Sequence, residues 1–436
     1  MRALDRKLLR DTLHLKAQLI AVTLVVGCGI AMWVTLKSAH ASLVTSQAVY
    51  YRQYRFADVF ASMRRAPLAL VPRIESIPGV VAVQHRIARE ITLDIPGLTE
   101  PATARAVSIP EIRRPLLNDL VLRSGRWIAP HHPDEIILSE AFAHANRLTL
   151  GDTLGAVVNG RRRELAIVGT ALSPEFIYEI RPGTLLPDKK RFGVLWMSRE
   201  AMEAAFDMEG AFNDLALTLA HGANEESVVA RLDDRIAPWG GAGAHGREEQ
   251  LSNRFISDEI RSLEISAAVM PAIFLAVAAF LIHLVLSRLV QLQRDQIAIL
   301  KAFGYESRTV GLHYLEMALL TVGGGALLGI GTGLWLGRQM TGIYAELYNL
   351  PLLRFEAPAA IFASSVGISA LAAAAGALSS VARAIDLPPA EAMRPEAPPD
   401  FHAGLLEHFG LKRRLPPAAR IIVRNILRQK TKSFLA

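Results

Sequence analysis

Four stretches of this chain are apolar for long enough to cross a membrane, and nothing else in the sequence limits the fold so strongly. A hydrocarbon core of ~30 Å takes ~20 helical residues at a rise of ~1.5 Å each. The stretches are Ala17–Leu36, Ile265–Leu286, Gly311–Gly337 and Ala359–Val381. Between the first two lie residues 37–264, a segment of mixed composition with helix breakers, strand-like alternation and scattered charge. That is a folded domain suspended between two membrane helices. Hydrophobic residues make up 51% of the 436, between the values usual for soluble enzymes and for all-membrane bundles, as such a hybrid requires.

The placement of Lys and Arg sets the orientation. Arg2, Arg6, Lys7, Arg10 and Lys16 precede the first span, and Arg288, Arg294, Lys301 and Arg308 lie between the second and third. Arg383, Arg394 and a basic run beyond Phe409 follow the fourth. The loop between the third and fourth spans has only Arg338 and Arg354, against Glu346 and Glu356. The N-terminus, the short charged connection and the C-terminus therefore face the cytoplasm, and the large domain faces outward. The net charge of +7 is accounted for by this topology and by attraction to anionic lipid, so nucleic acid is not an expected partner. The apolar run continues past Cys28 through "GIAMWVTL", which favours an uncleaved anchor over an acylated lipoprotein signal. A lone cysteine also excludes an intrachain disulfide and a Cys-rich zinc fold.

The expected architecture is a multidomain membrane protein, four transmembrane α-helices plus an outward α+β domain. Its boundaries are 1–16 (basic lead-in), 17–36 (first span), 37–264 (outward domain), 265–288 (second span) and 289–310 (cytoplasmic connection). They continue as 311–337 (third span), 338–358 (outward loop), 359–382 (fourth span) and 383–436 (cytoplasmic linker). Within the outward domain, strand signals near Ala57–Ser62, helix signals near Leu68–Glu75 and alternation from Val80 to Ile95 form one unit. "FNDLALTLAHGANEESVVARLDDRIAPWG" forms a second. Two such units around an insertion at about 109–200 suggest a split ferredoxin-like sandwich with a β-rich insertion. Asn159-Gly160 is an expected hairpin turn.

This domain offers little chemistry. "HHPDE" at His131–Glu135 collects metal-capable side chains, but Pro133 breaks any helix and no ligand pair recurs at helical spacing, so it reads as a polar loop. "GAGAHG" at Gly241–Gly246 spells a dinucleotide fingerprint but follows a helix end rather than a strand, so it reads as a linker. The chain contains no nucleophile elbow, no His-Glu-x-x-His and no Walker loop. No catalytic residue, metal or cofactor is expected, and the chain does not hydrolyse ATP on its own.

Two patterns in the membrane half stand out. From Gln291 to Phe303 the connection continues as a short amphipathic helix, with Ile297, Leu300 and Phe303 at i, i+3, i+6, Arg294 beside them and Gly304 as the C-cap. Its apolar side could face the membrane surface, the protein's own helices or another subunit. In the third span Gly325, Gly329, Gly333 and Gly337 recur every four residues on one helix face, a seam for close helix packing. Glu316 and His283 are ionisable residues in or near spans and are candidates for function on that ground.

"QLQRDQIAILKAFGYESRTVGLHYLEMALLTVGGGALLGIGTG" and "ARAIDLPPAEAMRPE" resemble the corresponding stretches of FtsX/MacB-type permeases of ABC transporters, the mechanotransmission class. The likeness is specific over Ile297–Gly304 and Asp386–Arg394 and architectural elsewhere, where an N-terminal anchor and a MacB-like periplasmic core domain fit. It implies that the short helix is a coupling helix seated in a separate ABC ATPase subunit through Arg294, Ile297, Leu300, Phe303 and Gly304. It also implies a bacterial inner-membrane location with the large domain in the periplasm. Two functions follow from it: export or extraction of an amphiphilic, peptide or lipoprotein-like cargo with a periplasmic adaptor, or signalling to an envelope enzyme without cargo. At the end of the chain "RNILRQKTKSFLA" repeats the spacing of "RDTLHLKAQLIA" near the start, Arg424, Leu427 and Lys430 matching Arg10, Leu13 and Lys16. The chain thus reads as the first half of a duplicated permease, with a second half or copy as partner.

Overall fold

A computed structural model describes residues 3–386 apart from 182, 185 and 352. The proposed second repeat, the basic cluster beyond Phe409 and most of "ARAIDLPPAEAMRPE" lie outside the described residues.

A short helix α1 (Ala3–His14) leads into α2 (Lys16–Gln53). The outward domain follows as β1 (Val59–Pro67), α3 (Val71–Glu75), β2 (Val80–Arg86), β3 (Ala88–Asp94), β4 (Ala102–Ile109), β5 (Val121–Gly125), β6 (Glu135–Ser139) and α4 (Glu140–Ala145). It continues with β7 (Thr153–Val158), β8 (Arg161–Leu172), β9 (Phe192–Ser198), α5 (Arg199–Phe206), β10 (Ala211–Leu219), α6 (Glu225–Ile236) and β11 (Ala244–Gly246). The chain returns through α7 (Leu251–Leu292), α8 (Arg294–Ala302), α9 (Ser307–Leu347) and α10 (Ala359–Asp386).

Four of these helices, α2, α7, α9 and α10, are long and apolar enough to cross a membrane. Three are much longer than their apolar runs. At ~1.5 Å per residue, the 38 residues of α2 and the 42 of α7 extend roughly 57 and 63 Å, about twice the hydrocarbon thickness. In the polar extension of α2, Ser38 and Ser42 turn their hydroxyls back onto the carbonyls of Val34 and Ser38, so these two buried side chains are satisfied within the helix.

The outward domain has two sheets. The smaller has strand order β11-β1-β10-β2, all antiparallel, with α3 connecting β1 to β2 and α6 connecting β10 to β11. One face buries Leu70, Ile74, Phe212, Leu215, Leu232 and Ile236 beneath these helices. The larger sheet runs β5-β8-β6-β9-β4-β3-β7, and the long β8 also pairs with β7. Strands β8, β6, β9, β4, β3 and β7 thus close into a ring around a core that includes Ile91, Leu138, Phe142, Leu165 and Leu195.

The alternating run from Val80 to Ile95 is two strands rather than one. The chain changes sheets at Ile87, which is fully buried, so the larger sheet begins at Ala88 and not near residue 109. Asn213 fixes the crossing, with its side-chain amide accepting from the Ala88 amide and donating to the Ala88 carbonyl, both at 2.8 Å. The β7–β8 turn is Asn159-Gly160 with both φ positive, 49° and 78°, the geometry favoured in two-residue hairpins. The glycine-rich Gly241–Gly246 segment is not a free linker. Its second half is β11, which pairs with β1, and a side chain at Gly246 would collide with Glu225 Oε1 at 1.8 Å.

The described chain separates into a larger unit, residues 3–286 with 313–379, and a smaller one, residues 287–312 with 380–386.

Candidate functional site

In the smaller unit, α8 ends in a left-handed glycine. Gly304 has φ 87°, its amide donates to the Lys301 carbonyl, and the Tyr305 amide donates to the Leu300 carbonyl at 3.1 Å. This pair of bonds is the Schellman arrangement that a C′ glycine permits. The predicted stripe separates along the helix. Ile297 is fully buried and Leu300 is half-buried, while Phe303 is 81% exposed. Residues at i and i+6 lie 120° apart around an α-helix, so Ile297 and Phe303 cannot share a face. Phe303 instead follows Ile299 by four residues, and Ile299 is itself 47% exposed. Arg294 opens the helix. Within the same unit Lys301 Nζ donates to the Ile385 carbonyl at 2.7 Å, and Arg383 donates to the Ser287 hydroxyl at 2.6 Å, which lies 2.8 Å from that of Ser380. Burial lowers the pKa of Lys301, opposed by Asp386. A side chain at Gly311 would meet Ile385 at 2.7 Å, so the start of α9 and the end of α10 are in close contact.

In the larger unit the glycine row of α9 lies against α2. A Cβ at Gly325 would stand 2.7 Å from Val26 Cγ1, one at Gly329 would stand 2.6 Å from the Gly27 carbonyl, one at Gly333 would stand 2.8 Å from Val34 Cβ, and one at Gly337 would stand 2.7 Å from Ser38 Oγ. Thr35 donates its hydroxyl to the Gly333 carbonyl at 3.2 Å, adding a polar contact at the seam. Gly376 of α10 similarly admits the Ala279 carbonyl of α7.

The two ionisable residues singled out near spans differ in setting. His283 shares a 2.8 Å hydrogen bond with Ser379 and so joins α7 to α10. Glu316 is exposed. The buried polar group at this end of α9 is His313, 3% exposed and 3.7 Å from Asp11, which pairs with Lys7 on α1. Sequence reading missed it because the pairing joins positions some 300 residues apart.

At the outward ends of the helices, α2, α7, α9 and the segment after β8 meet in one core of Leu43, Tyr50, Ile177, Tyr178, Ile256 and Tyr348. Arg247 fastens the domain to the helices by donating to the carbonyls of Phe56 and Ala57 and to Asp58, while Tyr51 donates to Asn253 at 2.6 Å. Above this core Arg86 is buried between Glu175 and Asp214. Burial alone would depress its ionisation, but the two carboxylates outweigh that and hold it charged. A cavity of about 220 Å³ opens here, lined in part by Phe60, Ser62, Arg105, Tyr178 and His245. Its charged wall is already paired, with Arg105 3.2 Å from Asp214.

The "HHPDE" loop is structural. Glu135 accepts from Arg126 and from the Ala129 amide, and the Arg126 bond foremost keeps its carboxyl below the ordinary range. Among the described residues no group of three metal-capable side chains comes together.

Residues 268–388 match the family described as FtsX-like permease C-terminal. Among solved structures, the chain is similar to the periplasmic region of MacB from Actinobacillus actinomycetemcomitans, at 10% identity over 48% of this chain and 95% of that one, with a TM-score of 0.30. It is also similar to the extracellular domain of the noncanonic ABC-type transporter YknZ from Gram-positive bacteria, at 10% identity over 44% and 98%, TM-score 0.27. A third is a domain of a putative permease protein from Porphyromonas gingivalis, at 14% identity over 47% and 96%, TM-score 0.26. No curated protein matches the chain. The family match runs from within α7 to just past α10, and the chain is a multi-pass membrane protein with a large domain between its first and second spans.

Proposed function

We propose that this chain is the permease subunit of an ABC transporter of the bacterial inner membrane, in which a separate ATPase drives motion of the outward domain through α8. What supports this reading above all is the position of α8. It is a short helix between two spans, inside the segment that matches the FtsX-like family, and it leaves Ile299 and Phe303 uncovered. A cytoplasmic helix end with two adjacent exposed apolar side chains suits insertion into a groove on a partner. The long helices α2 and α7 would carry the stroke outward, because they are about twice as long as the bilayer core is thick and their outward ends share a core with the domain segment after β8. The cargo this architecture suits is amphiphilic, a peptide or lipoprotein taken up at the outward face with a periplasmic adaptor, and a second permease half or copy would complete the membrane assembly.

The experiment is a pull-down of the tagged full-length chain from native membranes with an ATPase assay on the eluate. An ATPase should accompany the native chain. Phe303→Asp with Ile299→Asp should reduce the recovered activity at least tenfold, since losing two buried apolar anchors at an interface costs about 2 kcal/mol or more. Ile297 is unsuitable for this test, because it is fully buried and a charge there would damage the fold itself. Undiminished ATPase recovery with the double variant would remove α8 as the coupling element.

A further inference from the structure

The outward loop that follows α9 is held to the large domain by a small set of polar contacts around one buried carboxylate. The Asn349 amide donates to the Ile177 carbonyl at 2.8 Å, and its side chain donates to Glu179 Oε1 at 3.0 Å. The other carboxylate oxygen, Oε2, accepts from Ser139 Oγ at 2.9 Å, at the end of β6. Lys189 donates to the Glu346 carbonyl, and the rings of Tyr178 and Tyr348 lie 5.5 Å apart. Glu179 is 4% exposed. The groups that face this joint are Ser139 and Lys189 of the domain, the phenol of Tyr50 on α2, Tyr344 of α9, Tyr348 just after it, and Glu259 on α7, which accepts from Tyr344 at 2.6 Å.

We propose that Ser139, Glu179 and Asn349 form a proton-operated latch that fastens the outward loop between α9 and α10 to the large domain, closed when Glu179 is protonated and loosened when it is charged.

The geometry accommodates the neutral acid. A protonated Oε2 can donate to Ser139 Oγ while Oε1 still accepts from Asn349, so both contacts persist and no charge is buried. When the carboxyl is ionised, the same two contacts must offset the burial of an anion, with Lys189 as the opposing cation. Burial pushes the carboxyl up to about 7, opposed by the Ser139 hydrogen bond and by Lys189. The sign follows from linkage. A group whose pKa is higher in the closed state than in the open one stabilises closure fully below the open-state value and loses that contribution as pH rises through the closed-state value. From an ordinary value of 4.5 and a closed value of about 7, closure should weaken about tenfold between pH 6 and pH 8 and change little above that. The latch is independent of the ATP-driven reading, since it operates within one chain.

Hydrogen–deuterium exchange of the full-length chain in lipid nanodiscs, corrected for intrinsic chemical exchange at each pH, tests it. In the native chain, peptides covering residues 345–351 should lose about tenfold in protection from pH 6 to pH 8. Glu179→Gln, which keeps the shape and both contacts without a charge, should hold protection at the pH 6 level throughout. Asn349→Ala should lower protection at both pH values. Peptides from β4 serve as the reference for an intact domain. An equal pH response in the native chain and Glu179→Gln would overturn the proposal, as would unchanged protection in Asn349→Ala. If Glu179→Gln perturbs the β4 reference, Ser139→Ala decides instead: by removing a donor to the anion it should move the transition to higher pH, and an unmoved transition overturns the latch.

Discussion

Gly329→Leu should leave almost no correctly folded chain in the membrane, and even Gly329→Ala should cost about 1–3 kcal/mol. The first new carbon at 329 would stand 2.6 Å from the Gly27 carbonyl oxygen and 2.7 Å from Ile30 Cβ. The first of these neighbours is backbone and the second is attached directly to it, so neither can rotate aside and α2 and α9 would have to separate. Separation is expensive here because helices in a bilayer gain nothing from hiding apolar surface from lipid and associate through close contact. It would also break the Thr35 bond to the Gly333 carbonyl and open the rest of the seam at Gly325 and Gly333. Gly331→Ala is the matched comparison, since nothing lies within 4 Å of its added carbon. Thermal unfolding in detergent should show Gly329→Ala melting several degrees below the native chain and Gly331→Ala melting with it. Equal melting of the two variants would mean that the four-residue glycine period does not hold α9 to α2.

This seam was legible in the sequence because it depends on one helix period, which survives whatever the partner helix turns out to be. Other features depended on information that one stretch does not carry. The run from Val80 to Ile95 alternates without interruption, yet Ile87 is the point where it leaves one sheet for the other, and the cause is Asn213, more than 120 residues away. The strand in "GAGAHG" arises because β1 has a free edge, and glycine there avoids Glu225 rather than binding a phosphate. Hydropathy located the spans but not the ends of α2, because serines that satisfy themselves on the preceding turn extend a helix without looking apolar. On α8 the i, i+3, i+6 spacing named the helix and its glycine stop correctly. It placed Ile297 and Phe303 on one face although they lie on different ones, and the uncovered apolar pair is Ile299 with Phe303. Glu179 and His313 gave no signal, since a single acid in a mixed loop and a single histidine near a span start are distinguished only by what folds over them.

The buried charges at Arg86 define the second large effect. Arg86→Met should destabilise the outward domain by about 3–5 kcal/mol, because it takes the paired cation from Glu175 and leaves Asp214 with only the partly exposed Arg105, both carboxylates being buried. Arg86 ends β2, Asp214 lies on β10 of the same sheet, and Glu175 follows β8 of the other sheet, so the cluster ties the two sheets together. Asn118 completes the shell by donating to Glu175 at 2.9 Å. Neutralising Arg86 and both carboxylates, as Arg86→Met with Glu175→Gln and Asp214→Asn, should restore most of the loss, since replacing the fully buried ions by neutral groups removes their desolvation cost as well as their attraction, while Arg105 is exposed enough to stay hydrated. The pH profile separates charge from shape. Burial raises the carboxyl of Glu175, but Arg86 more than compensates and holds it below its ordinary 4.5. A depressed carboxyl contributes stability above its unfolded value and loses it as pH falls through the folded one. Native stability should therefore decline below about pH 4.5 in a step that the triple variant lacks. Urea unfolding of the full-length chain, followed through Trp196 of the larger sheet and Trp127 packed against its core, would measure both. If the single and triple variants lost the same amount, the arginine would matter for its volume. If only the single variant lost stability, its charge would be what orients one sheet against the other, and the triple variant would then show whether a domain held by shape alone still follows α2 and α7 as a rigid body.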